Sequence, residues 1–142
     1  VIAYTNEELY GGDPVKFYIN PFSQGTILSR QDLERFVEKE KIPLLHIPIK
    51  DFGIVDQEQE ILWEPISKNV RQKINDGDRI LVHCRGGCGR TGMIVLRIMI
   101  EFGEDPEEAL ERLRKIRPCA VETEAQENWA KSPKENNGLF LR

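Results

Sequence analysis

The sequence predicts an α/β fold: one domain whose largely parallel central sheet is flanked by helices. Three observations point there. Short apolar runs at 1–4, 44–47 and 80–83 alternate with segments of helical periodicity. A glycine-rich turn joins the third run directly to the helical pattern of Met93 to Met99. The chain has 142 residues, enough for a single core without covalent staples.

In chain order, Val1 to Tyr4 reads as a short strand, and Val15 to Ile19 as another, closed by turn signals at Asn20-Pro21 and Gly25. A helix is expected from about Ser29, with Asp32 as a capping partner and Leu33, Phe36 and Val37 on its apolar face. Leu44 to Ile47 reads as a strongly apolar strand, and Pro48 to Glu58 as a loop. Pro65 suits the first position of the next helix, which buries Trp63, Ile66, Val70 and Ile74 and stops at Asn75 to Asp78. Arg79 to Val82 reads as a buried strand, and the helix after the glycine-rich turn stops at Gly103. Asp105-Pro106-Glu107-Glu108 is a strong helix start, with Ala109, Leu110, Leu113 and Ile116 as the buried face and Pro118 as the stop. Thr123 and Gln126 have capping-box spacing and open a last short helix through Trp129. Residues 1–142 form one domain, with 131–142 a polar tail.

The net charge of −4 argues against a nucleic-acid-binding domain, which should be basic. No apolar stretch approaches the roughly 20 residues of a membrane span. Val1 opens neither with an initiator Met nor with a basic-then-apolar leader, so the start of the chain says little about targeting. Three cysteines without framework spacing predict a reducing, cytoplasmic setting. Nothing in the sequence sets an oligomeric state.

The chemistry concentrates in His83-Cys84-Arg85-Gly86-Gly87-Cys88-Gly89-Arg90-Thr91-Gly92. A glycine-rich turn from strand into helix directs consecutive backbone N–H groups inward and forms an anion cradle at the positive helix end. A thiol there ionises readily because fixed positive charge favours the thiolate, so Cys84 is a candidate nucleophile. The Arg90 guanidinium can hold two phosphoryl oxygens in a bidentate fork, which a lysine cannot. Backbone donors from Arg85, Gly86, Gly87, Cys88, Gly89 and Arg90 complete the cradle, and the glycines let it curl without Cβ clashes. Strand order puts the Lys50-Asp51 loop and Cys84 at the carboxyl ends of two strands, where such sheets bind ligands. His83 is expected to organise the loop through a backbone hydrogen bond, and His46 to be a core histidine.

His83-Cys84-x-x-Gly87-x-x-Arg90-Thr91 resembles the signature of the protein tyrosine phosphatase superfamily. The short domain is similar to its dual-specificity branch. Leu45 to Gly53 resembles the acid loop of the kinase-associated-phosphatase-like members, and Arg117 to Gln126 resembles their C-terminal segment. The similarity covers roughly residues 40 to 130, whereas Tyr10 to Ser29 matches nothing in it. The resemblance implies a hydrolase of phosphorylated proteins that needs neither metal nor other cofactor. By the same resemblance, Cys84 forms a thiophosphate and Asp51 is the general acid, with Asp56 as rival. Thr91 would stabilise the Cys84 sulfur as leaving group. Gln126 would position the hydrolytic water, although its capping-box role is equally good.

Other readings compete. Cys84, Cys88 and His83 as metal ligands would lack a fourth ligand and leave Arg90 unexplained. Cys88 is either a small side chain packed under the loop or a reversible disulfide partner of Cys84. Cys119 has no assigned role. A phosphoinositide phosphatase would want a second basic residue in the loop beside Arg85, where Cys88 stands. An RNA 5′-triphosphatase fits poorly with an acidic chain. A catalytically inactive phosphoprotein-binding module would not need the intact Cys84 and Arg90.

Overall fold

The computed structural model describes residues 2–6, 15–16, 27–28, 30–84 and 86–133. Val1, Phe17 to Ile19, Ser29, Arg85 and the tail from 134 onward lie outside the described residues, as do the side chains of Asp32 and Leu33.

The order of elements is β1 (Ile2–Asn6), β2 (Val15–Lys16), β3 (Ile27–Leu28), α1 (Arg30–Lys39), β4 (Leu44–Ile49), α2 (Gln57–Asn75), β5 (Leu81–His83), α3 (Gly89–Glu101), α4 (Pro106–Ile116) and α5 (Glu124–Lys131). The sheet runs β4-β1-β5. Both pairings are parallel, with Tyr4 opposite His46 on one side and His83 on the other. The strands β2 and β3 form a separate antiparallel pair. The parallel sheet is thus the one expected from the alternation of apolar runs with helices.

Helix α3 runs through the centre of the core. Its buried residues include Met93, Ile94, Leu96, Ile98 and Ile100, and it packs on β5, β1, α4 and α5. It crosses the segment before α5 so closely that a Cβ on Gly92 would lie 2.5 Å from the Val121 backbone nitrogen and 2.8 Å from Ala120 Cα. Only glycine permits that approach.

Beyond Arg90 in its first turn, two further charged residues on this apolar helix, Arg97 and Glu101, are also buried. Arg97 Nε lies 2.9 Å from Glu101 Oε1, and Trp63 Nε1 donates to the same oxygen at 2.9 Å. The Ser67 hydroxyl bonds to Glu101 Oε2. Arg97 Nη1 donates to the Trp129 carbonyl at 2.6 Å, and its guanidinium stacks 4.4 Å above the Trp129 ring. The pair survives burial because hydrogen bonds from two elements satisfy it.

Several expectations need correction. β4 continues through Pro48 to Ile49; proline is tolerated because β4 lies at the edge of the described sheet. Helix α2 starts at Gln57, two turns before Pro65, because Asp56 and Gln59 form a reciprocal capping box. Pro65 therefore lies inside the helix. The buried face of α2 is Trp63, Ser67 and Val70, with Ile66 half-buried and Ile74 exposed. In β5 the buried end is His83, while Leu81 is 41% exposed. Helix α3 begins at Gly89, inside the glycine-rich turn itself. Ile116, expected on the inner face of α4, is the last residue of that helix and is 81% exposed.

The cysteines differ most from expectation. Cys88 is joined to Cys119, with Cα atoms 5.1 Å apart, and Cys84 is free and buried. Cys88 is therefore neither a metal ligand nor the disulfide partner of Cys84, and Cys119 has a role. The pairing also removes the argument from cysteine spacing for a reducing setting.

Candidate active site

The parallel register brings the carboxyl ends of β4 and β5 to the same edge of the sheet. From β4 the chain enters a tight turn in which the Gly53 N–H donates to Lys50 O at 2.8 Å. Asp51 Oδ1 accepts from the Phe52 N–H at 3.1 Å, and Phe52 holds a left-handed φ of 58°. Such a conformation is uncommon for a residue with a Cβ and concentrates at functional loops. From β5 the chain enters the glycine-rich turn, where Gly87 takes φ 71°.

Asp51, Phe52, Cys84, Gly86, Gly89, Arg90 and Glu122 line one cavity of about 300 Å³. The Cys84 side chain is free and 4% exposed. Arg90, 3% exposed, reaches across to the other loop: Nη1 donates to Ile49 O at 3.0 Å, and Nη2 lies 3.2 Å from Asp51 Oδ1. A carboxylate, a guanidinium and a thiol from segments 33 residues apart (51 to 84) thus share one wall-to-wall space.

His83 Nδ1 lies 3.2 Å from the Cys84 carbonyl. Burial pushes the His83 pKa below its ordinary 6.5, against the weaker upward pull of that backbone hydrogen bond. Thr91 Oγ1, in the first turn of α3, is buried with no hydrogen-bond partner among the described residues.

Asp56 and Gln126 have structural partners. Asp56 Oδ1 accepts from the Gln59 N–H at 2.8 Å as the N-cap of α2, and Asp56 is not among the residues that line the cavity. Gln126 is fully buried. Its Oε1 accepts from Glu122 N at 2.9 Å and Thr123 N at 3.3 Å, and its Nε2 donates to Gly53 O at 3.2 Å. The side chain is thus shared between the capping box of α5 and the back of the Asp51 turn.

Sequence reasoning missed Phe52 and Glu122. Phe52 stands 60% exposed at the cavity, and its position beside Asp51 was the only available signal. Glu122 Oε1 accepts from the Gly89 N–H at 3.0 Å, a contact across 33 positions that no local pattern announces. Among the described residues, no three His, Cys, Asp or Glu side chains are grouped to hold a metal ion.

Comparison with known proteins identifies the family and the fold. Residues 19–130 match the family model of the dual specificity phosphatase catalytic domain, so the match begins well before residue 40, where the sequence resemblance was first legible. The chain belongs to the dual specificity phosphatase family, and it is a hydrolase of the protein-tyrosine and dual-specificity phosphatase class. Among its relatives is an uncharacterised protein of Methanocaldococcus jannaschii, MJECL20, 34% identical over 132 residues that cover 85% of this chain and 86% of the relative. A probable protein tyrosine phosphatase type IVA B of Dictyostelium discoideum is 36% identical over 76 residues, covering 54% of this chain and 43% of that protein. The crystal structure of Tk-PTP in the active form superposes with a TM-score of 0.61 at 29% identity, covering 92% of this chain and 74% of that one. Kinase associated phosphatase shares the fold, with a TM-score of 0.66 at 22% identity over 91% of this chain and 65% of that one.

Proposed function

We propose that this chain removes phosphate from phosphotyrosine, and from phosphoserine and phosphothreonine, of proteins through a covalent phosphocysteine. The observation that carries the reading is the shared cavity, in which buried free Cys84 and buried Arg90 face Asp51. The Cys84 thiolate attacks phosphorus, and the bond to the substrate oxygen breaks. Asp51, entering as the carboxylic acid, protonates that oxygen. Arg90 and the backbone N–H groups of the turn, other than that of Gly89, which Glu122 holds, neutralise the equatorial oxygens as charge develops. Water then attacks phosphorus and gives its proton to the Asp51 carboxylate, the P–S bond breaks, and the thiolate returns with inorganic phosphate as product. The Thr91 hydroxyl, buried and unspent, suits a donor to the departing sulfur. Its position within the first turn of α3 supports that role.

A phenol leaving group, with a pKa near 10, needs less help from an acid than an aliphatic alcohol does, so aryl phosphates should turn over fastest. Para-nitrophenyl phosphate hydrolysis by wild type and Cys84→Ser tests the mechanism. Loss of turnover in the serine variant is expected, and turnover that persists overturns it. Asp51→Asn should slow the reaction by ~10²–10⁴-fold. A panel of phosphopeptides against phosphoinositides tests the substrate class, and preference for the lipids overturns the protein assignment.

A further inference from the structure

The segment from the end of α4 to the start of α5 is built against the outer face of the glycine-rich turn. Arg117, the C-cap of α4, is fixed through its own backbone: its N–H donates to Leu113 O at 2.8 Å, and its carbonyl accepts from Ala120 N at 2.9 Å. Its guanidinium grips two consecutive carbonyls of the turn. Nη2 donates to Gly86 O at 2.8 Å, and Nε donates to Gly87 O at 3.2 Å. The Cys88–Cys119 disulfide and a bond from Val121 N to Cys88 O at 3.4 Å tie down the next residue. Arg117 is not among the residues that line the cavity.

We propose that Arg117 is a positioning residue for the anion cradle, acting through the peptide groups it holds rather than by touching substrate. This rests on the phosphate-site reading given above. A trans peptide is planar, with its C=O and N–H pointing to opposite sides. Anchoring the Gly86 carbonyl outward therefore turns the Gly87 N–H inward, and anchoring the Gly87 carbonyl does the same for the Cys88 N–H. Adjacent glycines impose no Cβ limit on these planes, so their orientation has to be held from outside. A cation at the oxygen end of each peptide also polarises it, which strengthens the N–H as an anion donor. Lysine would supply the charge without the planar fork that spans two acceptors.

The test compares wild type, Arg117→Ala, Arg117→Lys and Arg112→Ala. Arg112 is an exposed arginine of α4 paired with Glu104, and it controls for the loss of one surface charge. The measurements are kcat and KM for para-nitrophenyl phosphate, affinity for inorganic phosphate by calorimetry, and Tm. Arg117→Ala should weaken phosphate binding and raise KM about tenfold, with kcat falling less, because two charge-assisted contacts that orient donors are lost. Arg117→Lys should fall between Arg117→Ala and wild type, and Arg112→Ala should match wild type. Phosphate affinity unchanged in Arg117→Ala, with or without a lower Tm, overturns the proposal. Full wild-type affinity in Arg117→Lys overturns the fork. A defect confined to phosphopeptides, with para-nitrophenyl phosphate and inorganic phosphate unaffected, also overturns it, since that marks direct contact with the substrate protein. If Arg117→Ala melts more than ~2 °C lower, Arg117→Lys at unchanged Tm decides the matter. Should the wild type hydrolyse no phosphomonoester, the mechanism fails, but phosphate calorimetry still decides the role of Arg117.

Discussion

His83 stands directly behind the nucleophile, and its burial has a consequence for stability. Its folded pKa lies below the ordinary 6.5, chiefly because burial penalises the imidazolium. As pH falls below about 6.5 the unfolded chain takes up the proton first, so protonation favours unfolding. Stability is complete above that value and is lost as pH drops towards the folded pKa. Tm measured between about pH 7.5 and 5 should therefore decline more steeply for wild type than for His83→Gln. Equal slopes would show that His83 is not the group responsible. At this scale the sequence pointed to Cys84, Arg90 and Asp51, which the fold brings to one cavity, because each stands in one short motif or one loop. It was least informative about Asp56 and Gln126. Asp56 is polar and close to Asp51 in sequence, Gln126 is 36 positions beyond Arg90, and only the folded partners show that Asp56 caps a helix and that Gln126 spans two segments.

Helix ends were legible where the signal is local. Asp105 caps α4 by accepting from the N–H groups of Glu107 and Glu108, and Thr123 with Gln126 forms the box that opens α5. Helix α2 was misread because Pro65 is a strong start signal and its cost inside a helix is ordinarily high. The Asp56–Gln59 box, two turns earlier, outweighs it. The close crossing of α3 on Ala120 and Val121 could not be read from Gly92, which looked like one more loop glycine. Gly92→Ala should destabilise the protein by ~1–3 kcal/mol, because the new methyl meets backbone that cannot yield. Urea unfolding of the variant checks this, and unchanged stability would show that the crossing can relax.

Over the whole molecule, the parallel sheet and the meeting of its two carboxyl-end loops followed from strand order. The disulfide did not, since Cys88 and Cys119 are 31 positions apart and are brought together only when α4 folds back across α3. The buried Arg97–Glu101 pair was equally hidden, because both residues sit on a helix read as apolar. Closing a loop of that length should stabilise the fold by ~3–4 kcal/mol. Cys119→Ser, or wild type treated with dithiothreitol, should unfold at lower urea by a corresponding margin. Coincident curves would show that the bond contributes nothing.

The same bond decides how the enzyme meets peroxide. With Cys88 and Cys119 joined, Cys84 is the sole sulfhydryl of a chain that has three cysteines. A sulfenic acid formed there finds no second thiol in its own chain to capture it. Its capture is left to a backbone nitrogen, as a sulfenamide, or to an external thiol, before further oxygen is added and the damage becomes permanent.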